Sequence, residues 1–159
     1  MRLFGGAPEP LYLPIAENRP DAGIYFRNDY AASALHELAH WCQAGKLRRE
    51  LEDYGYWYEG TRNACQQKKF EQVEVRPQAI EWILSIAAGL RFRISTDNVL
   101  VDQLDVEPFR RCVASCAIKL VRQGLPPRAG VLAISLASGM PDGCETFASE
   151  RHYQKLPDR

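Results

Sequence analysis

Two histidines and a glutamate within one short stretch constrain this chain more than any other feature. Residues 34–41 read Ala-Leu-His-Glu-Leu-Ala-His-Trp. On a helix of about 3.6 residues per turn, His36 and His40 project from the same face, where both imidazoles can bind a single metal ion. Glu37 lies roughly 100° further round such a helix. The motif therefore predicts a metal site with a carboxylate beside its open positions.

The residues around the motif predict that it is helical. Alanines and leucines dominate from Ala31 onward, Asn28 or Asp29 can cap the first turn, and Gly45 suits the end. Because the flanking residues are small and apolar, we expect a buried helix with its histidines facing an interior cleft.

Length and charge exclude several classes of protein. The 159 residues predict a single domain over 1–159, and equal numbers of basic and acidic residues, twenty of each, predict no direct nucleic-acid binding. No run of 18 apolar residues and no signal-peptide pattern is present, so we expect a cytoplasmic protein with no membrane association. Five cysteines without a Cys-x-x-Cys pair argue against a zinc ribbon or a disulfide framework.

Hydrophobic patterns and turn residues predict the remaining elements. Residues 1–10, interrupted by glycine and proline, read as a loose arm, and residues 59–69 read as a loop. Strands are expected near 11–15, 24–27, 54–58 and 92–95. Further helices are expected from Pro77 to Gly89, over 107–123, over 131–137 and within 145–155.

A site with two histidines needs at least one more ligand. The candidates are Glu71, Glu74, Glu81 and His152. We favour Glu74, because it lies at or just before the predicted helix start at Pro77, where a rigid element holds the carboxylate while its side chain can turn into the cleft.

Two imidazoles and one carboxylate support two chemistries. With a tetrahedral zinc ion and Glu37 as base, the site would hydrolyse peptides, amides or RNA. With Fe(II) held on one face and three positions open, it would activate oxygen. The residue types leave both alternatives open.

A series of short sequence blocks follows in a fixed order along the chain, at residues 34–42, 44–45, 48–51, 55–58, 70–71, 73–75, 77–79, 81–82, 87–89, 95 and 97–98. The order of these blocks closely resembles that of the bacterial elongation factor P hydroxylases. The resemblance covers roughly residues 9–128. So many matched blocks are far more specific than the histidine motif alone.

The resemblance implies oxygen-dependent hydroxylation of the lysine of elongation factor P that carries a β-lysyl group. It also implies an α+β fold, with helices packed on a small sheet and a zincin-like metal-site helix similar to that of a bacterial endoribonuclease. The metal would be Fe(II), which zinc can replace in purified protein, and O2 would be the cosubstrate. The ligands implied are His36, His40 and Glu74, with Glu37 left to orient a water or bind a cationic group.

β-Lysyl-lysine is a long cationic side chain, so its pocket should offer carboxylates and aromatic faces. The candidates for this role are Glu50, Asp53, Tyr56 and Tyr58. Arg48 and Arg49 are candidates for docking an acidic surface of the protein substrate.

Overall fold

The computed structural model describes residues 1–55, 62–96 and 105–157. The chain divides into two compact units, Met1–Trp57 and Tyr58–Arg159. The first holds a three-stranded sheet and one long helix, and the described part of the second is helical. The predicted α+β class is therefore confirmed, whereas the single-domain organisation and the likeness to an endoribonuclease stay predictions.

The sheet of the first unit has the order β1-β3-β2. Its strands are β1 (Arg2–Ala7), β2 (Leu11–Leu13) and β3 (Gly23–Arg27). Strand β1 is parallel to β3 and β2 is antiparallel to it. Tyr12 and Ile24, paired across β2 and β3, are both buried. The strands predicted near 11–15 and 24–27 are thus confirmed.

The loose arm predicted for residues 1–10 is wrong, because residues 2–7 form β1. Its glycines do not break the strand. The pairing with β3 shifts register between Phe4 and Ala7, and Gly6 has a φ of 81° that suits glycine. Gly5 and Gly6 therefore lie at an irregularity inside a paired strand.

Helix α1 (Ala31–Gln43) packs on β3 and carries the histidine motif. It buries Leu35, Leu38, Ala39 and Cys42, as its apolar flanks predict. The predicted cap is wrong: Tyr30 occupies the N-cap position and no side chain caps the first turn. After α1, Arg48–Glu50 form a short 3-10 helix.

The second unit is organised around α2 (Ala64–Ala87), which packs against α3 (Glu107–Gln123) and α4 (Pro127–Ala137). Two short helices follow, α5 (Glu145–Ala148) and α6 (Arg151–Gln154). Helix α4 presents Ala129, Ala133 and Ala137 to the core, and these small side chains permit close approach. The helices expected over 107–123, 131–137 and 145–155 are confirmed in position, α4 beginning earlier than predicted.

Helix α2 begins thirteen residues before the predicted start at Pro77, so part of the predicted loop 59–69 is helical. The side chain of Asn63 accepts hydrogen bonds from the backbone N–H groups of Cys65 and Gln66, and Gln66 Oε1 accepts from the N–H of Asn63. This capping box starts the helix. Pro77 lies inside α2, where it cannot donate a hydrogen bond to the carbonyl of Val73.

Residues 92–95 are predicted as a strand, but within this segment only Arg93 forms a β-bridge. Ser95 binds the side chain of Gln78: its N–H donates to Oε1 at 3.1 Å, and its carbonyl accepts from Nε2 at 2.6 Å. A buried amide of α2 thus holds the backbone of this segment. Among the described residues, no helix is both long and apolar enough to cross a membrane.

Candidate metal centre

The two histidines of α1 come together as the sequence predicts. His36 and His40 are half-buried, and their Nε2 atoms lie 3.1 Å apart with the two rings inclined at 64°. Both Nε2 atoms therefore point at the same small volume. Two nitrogens at this distance can share one proton or bind one metal ion.

A turn at Glu52–Gly55 places an aromatic ring beside His40. The Tyr54 ring lies nearly parallel to that of His40, with 6.2 Å between centroids, and stacks on Tyr12 at 4.3 Å. Its hydroxyl approaches the carbonyl of Glu37 at 3.5 Å. Tyr54 was predicted to begin a strand; this is wrong, because Asp53, Tyr54 and Gly55 all have positive φ.

Left-handed backbone at two non-glycine residues costs roughly 1–3 kcal/mol each and has to be offset by contacts. Here the backbone N–H of Tyr12 donates to Asp53 Oδ1 at 2.7 Å, and the Tyr12 hydroxyl donates to the carbonyl of Arg49 at 2.8 Å. Arg48 Nη1 donates to the carbonyl of Tyr54 at 3.0 Å. Strand β2 thereby fixes the turn that positions Tyr54.

Burial changes the acid–base character of this turn. Desolvation raises the pKa of the Tyr54 phenol well above its ordinary value, and the nearby Glu37 carboxylate raises it further. The pKa of Asp53 is also raised, chiefly by burial, against the hydrogen bond from Tyr12 that lowers it. Tyr54 therefore remains a neutral phenol throughout the physiological pH range.

Helix α2 carries a face of polar side chains that is withdrawn from solvent, here called the polar stripe of α2. Its members follow one another at alternating spacings of four and three residues, and all are buried except the half-buried Glu71. They are Gln67, Glu71, Glu74, Gln78, Glu81 and Ser85. Burying so many polar groups costs stability unless each is bound, so this face has a structural or chemical role.

Glu74 lies near the middle of the polar stripe with only 2% of its surface exposed. The prediction that it precedes the helix start is wrong, since α2 begins at Ala64. Glu71 accepts a hydrogen bond from Gln67 Nε2 at 3.1 Å, and Glu81 is also buried. The fourth candidate, His152, is exposed on α6.

Three of the predicted substrate-binding residues line two different cavities. Arg48 lines a cavity of about 220 Å³ next to His40, whereas Arg49 and Glu50 line another of about 350 Å³ beside Trp41. Asp53 holds the backbone of β2, as described above. Tyr56 and Tyr58, for which the sequence also predicts substrate binding, lie outside the described residues.

Comparisons with known proteins show which family the chain belongs to. Residues 1–143 match the sequence model of the elongation factor P hydroxylases. A protein of Haemophilus influenzae (strain ATCC 51907 / DSM 11121 / KW20 / Rd) named "Elongation factor P lysine hydroxylase" is 47% identical over 138 residues, which are 86% of this chain and 78% of that protein. The chain belongs to the elongation factor P hydroxylase family.

Family membership makes this protein a hydroxylating oxidoreductase and decides against the zinc hydrolase that the motif alone left open. The match extends beyond the residues 9–128 on which the resemblance was recognised. It includes β1 at one end and α4 at the other.

Sequence reasoning missed two kinds of residue in this region. Tyr12 and Tyr54 shape the surroundings of His40, but their contact joins segments that are far apart in the chain. Gln67 and Gln78 belong to the polar stripe of α2, and the regular spacing of polar residues along 67–85 was the signal that could have revealed it.

Proposed function

We propose that this protein hydroxylates a lysine side chain of elongation factor P, using one metal ion bound by His36, His40 and Glu74. Membership of the hydroxylase family carries the proposal. Two imidazole nitrogens and one carboxylate oxygen are the ligands of the two-histidine, one-carboxylate sites at which Fe(II) enzymes use oxygen.

The histidine geometry supports the binding of one metal ion. The Nε2 atoms of His36 and His40 lie 3.1 Å apart, so both could bind the same ion. Two imidazoles and one carboxylate would leave positions open on Fe(II), and this supports Fe(II) as the working metal of a hydroxylase.

Glu74 is proposed as the third ligand because a carboxylate so thoroughly buried is stable only when paired, hydrogen-bonded or bound to a metal. Its place within α2 holds the carboxylate on a rigid element. Glu71, by contrast, is half-buried and bound to Gln67. Glu81 is buried on the same face, about one turn beyond Gln78, and its variant serves as the comparison for the Glu74 variant in the metal-affinity measurement below.

Fe(II) with O2 supplies the oxidising power needed to replace a carbon-bound hydrogen of the lysine by hydroxyl. The chain's own residues prepare this reaction. For ligation through Nε2, His36 and His40 keep their proton on Nδ1. Glu37 offers a half-buried carboxylate from the same helix, which orients a water molecule or holds the cationic substrate.

The proposed substrate is elongation factor P carrying a β-lysyl group, and the proposed cellular compartment is the cytoplasm, where translation factors act. Glu50, Asp53, Tyr56 and Tyr58 are proposed to recognise the cationic side chain. Arg49 is proposed to contact the protein substrate from the cavity beside Trp41, whereas Arg48 lines the separate cavity next to His40.

Mass spectrometry of the substrate tests this proposal. Incubation of β-lysylated elongation factor P with the protein, Fe(II) and a reductant should add one oxygen atom to the modified lysine, while substrate without the β-lysyl group should react far less. An unchanged mass with iron-loaded, folded protein would contradict the proposed reaction. Equal reaction of both substrates would contradict only the β-lysyl requirement.

A further inference from the structure

A cavity of about 220 Å³ adjoins the side chain of His40 within the first unit. Its lining comes from the end of α1, from the segment that follows it and from the turn at Glu52–Gly55. The lining residues are His40, Gln43, Ala44, Gly45, Arg48 and Tyr54. A molecule held there would contact one of the proposed metal ligands.

The charge of this lining does not suit the lysine substrate. Arg48 contributes a guanidinium group, which stays positively charged at every physiological pH, and none of the described lining residues has a carboxylate. A cationic side chain would meet a like charge here, whereas an organic anion would be attracted. The cavity therefore fits a second reactant rather than the lysine.

Gln43 adds a second requirement. Its Oε1 atom is buried and accepts no hydrogen bond from the described residues. A buried acceptor without a donor costs free energy, which a hydroxyl group of a bound molecule would recover. The lining thus suits a molecule that has both an anionic group for Arg48 and a hydroxyl for Gln43.

Size limits the molecule further. A volume of about 220 Å³ is below the roughly 300–1,000 Å³ of pockets for drug-sized ligands. It suits a small, compact organic acid. The Tyr54 ring, fixed by its stacking on Tyr12, gives the cavity one rigid aromatic boundary.

The reaction itself requires such a partner. When one atom of O2 enters a carbon–hydrogen bond, the other atom leaves as water, which takes up two electrons and two protons. A reductant AH2 balances the reaction: R–H + O2 + AH2 gives R–OH + H2O + A. We propose that the cavity beside His40 binds this reductant, a small organic acid of the enediol class, whose two hydroxyl groups lose the two electrons and two protons.

This inference rests on the proposed function, but binding tests it separately. Ascorbate is the probe, titrated by calorimetry into the full chain without oxygen. Ascorbate should bind, whereas 2-oxoglutarate, which lacks a hydroxyl donor, and glycerol, which lacks a charge, should bind at least about tenfold more weakly. Absence of ascorbate binding, or equal binding of 2-oxoglutarate, would overturn the inference.

Variants locate the binding in this cavity. Arg48→Gln and Gln43→Leu should each weaken ascorbate binding by about tenfold or more, and Arg48→Lys should recover part of the loss. Arg27→Gln, which removes an exposed arginine at the end of β3, should leave binding unchanged. Because Arg48 also binds the carbonyl of Tyr54, Gln43→Leu decides the case if Arg48→Gln does not fold.

The two proposals fail in different ways. If ascorbate binds as expected but β-lysylated elongation factor P is not modified, the proposed function is wrong and the binding site stands. If the substrate is hydroxylated while both variants bind ascorbate as tightly as the unchanged protein, the cavity inference is wrong and the proposed function stands.

Discussion

Helices α1 and α2 carry the proposed metal ligands in contrasting surroundings. Helix α1 is short and apolar, has no side-chain cap, and carries half-buried histidines on one face. Helix α2 is long, begins with a capping box, and buries the polar stripe that contains Glu74. In α1 the functional groups are exceptions on an apolar helix; in α2 they belong to a continuous polar face.

This difference concerns how each proposed ligand is held in place. The two imidazoles of α1 form a pair by themselves, since i and i+4 positions on any helix face the same way. A carboxylate on α2 lies among the other buried polar groups of the polar stripe. One of them is Gln78, whose side-chain amide also binds the backbone of Ser95. The predictions below test whether the roles of the two helices divide as proposed.

The largest effect is expected on α1. Replacing His40 by Ala removes one ligand of the proposed metal, so metal affinity should fall by more than about 100-fold, beyond the range typical of residues that only orient ligands. Metal analysis and hydroxylation of the substrate should both report the loss. His152→Ala, which changes an exposed histidine of α6, should affect neither; retention of metal by the His40 variant would show that α1 does not hold it.

On α2, Glu74→Gln keeps the shape of the side chain but removes its charge. If Glu74 is the third ligand, metal affinity should fall by about 100-fold, at or above the upper end of the range for residues that only orient ligands, whereas Glu71→Gln and Glu81→Gln on the same polar stripe should cause much smaller changes. Titration of the metal-free protein with Fe(II) under anaerobic conditions measures the three affinities. A greater loss for Glu71→Gln would transfer the ligand role to that residue.

The turn beside His40 should matter for stability. Tyr54 is 4% exposed and stacks on Tyr12, so Tyr54→Ala should lower the free energy of unfolding by about 3–5 kcal/mol, as for other large buried aromatic side chains. Tyr54→Phe should cost about 1 kcal/mol or less, because the hydroxyl contact to Glu37 is long. Urea denaturation measures both; equal losses would assign the stabilisation to the hydroxyl rather than the ring.

The smallest effect concerns the start of α2. Asn63→Ala removes the cap and should lower the free energy of unfolding by about 1 kcal/mol without changing metal affinity. Gln72→Ala, at an exposed position of the same helix, is the matched control and should change stability by only a few tenths of a kcal/mol. No difference between these variants would mean that the cap does not stabilise α2.

What the sequence predicts well depends on how local the signal is. The histidine pair, strands β2 and β3, and α3 between Pro108 and Gly124 follow from neighbouring residues alone. Helix α2 was partly misjudged because Pro77 resembles a helix start and the polar stripe hides the apolar pattern. Strand β1 was missed because its pairing with β3 is set by residues about twenty positions away. The turn at Tyr54 depends on Tyr12, which no local pattern reveals.

The origin of the added oxygen tests the central claim most directly. β-Lysylated elongation factor P is incubated with the iron-loaded protein and a reductant under dioxygen enriched in a heavy isotope, and the mass of the modified peptide is measured. An oxygen-dependent hydroxylase predicts that the heavy isotope appears in the lysine side chain and that product is absent without dioxygen. Product formed without dioxygen, or carrying oxygen from water alone, would contradict the account.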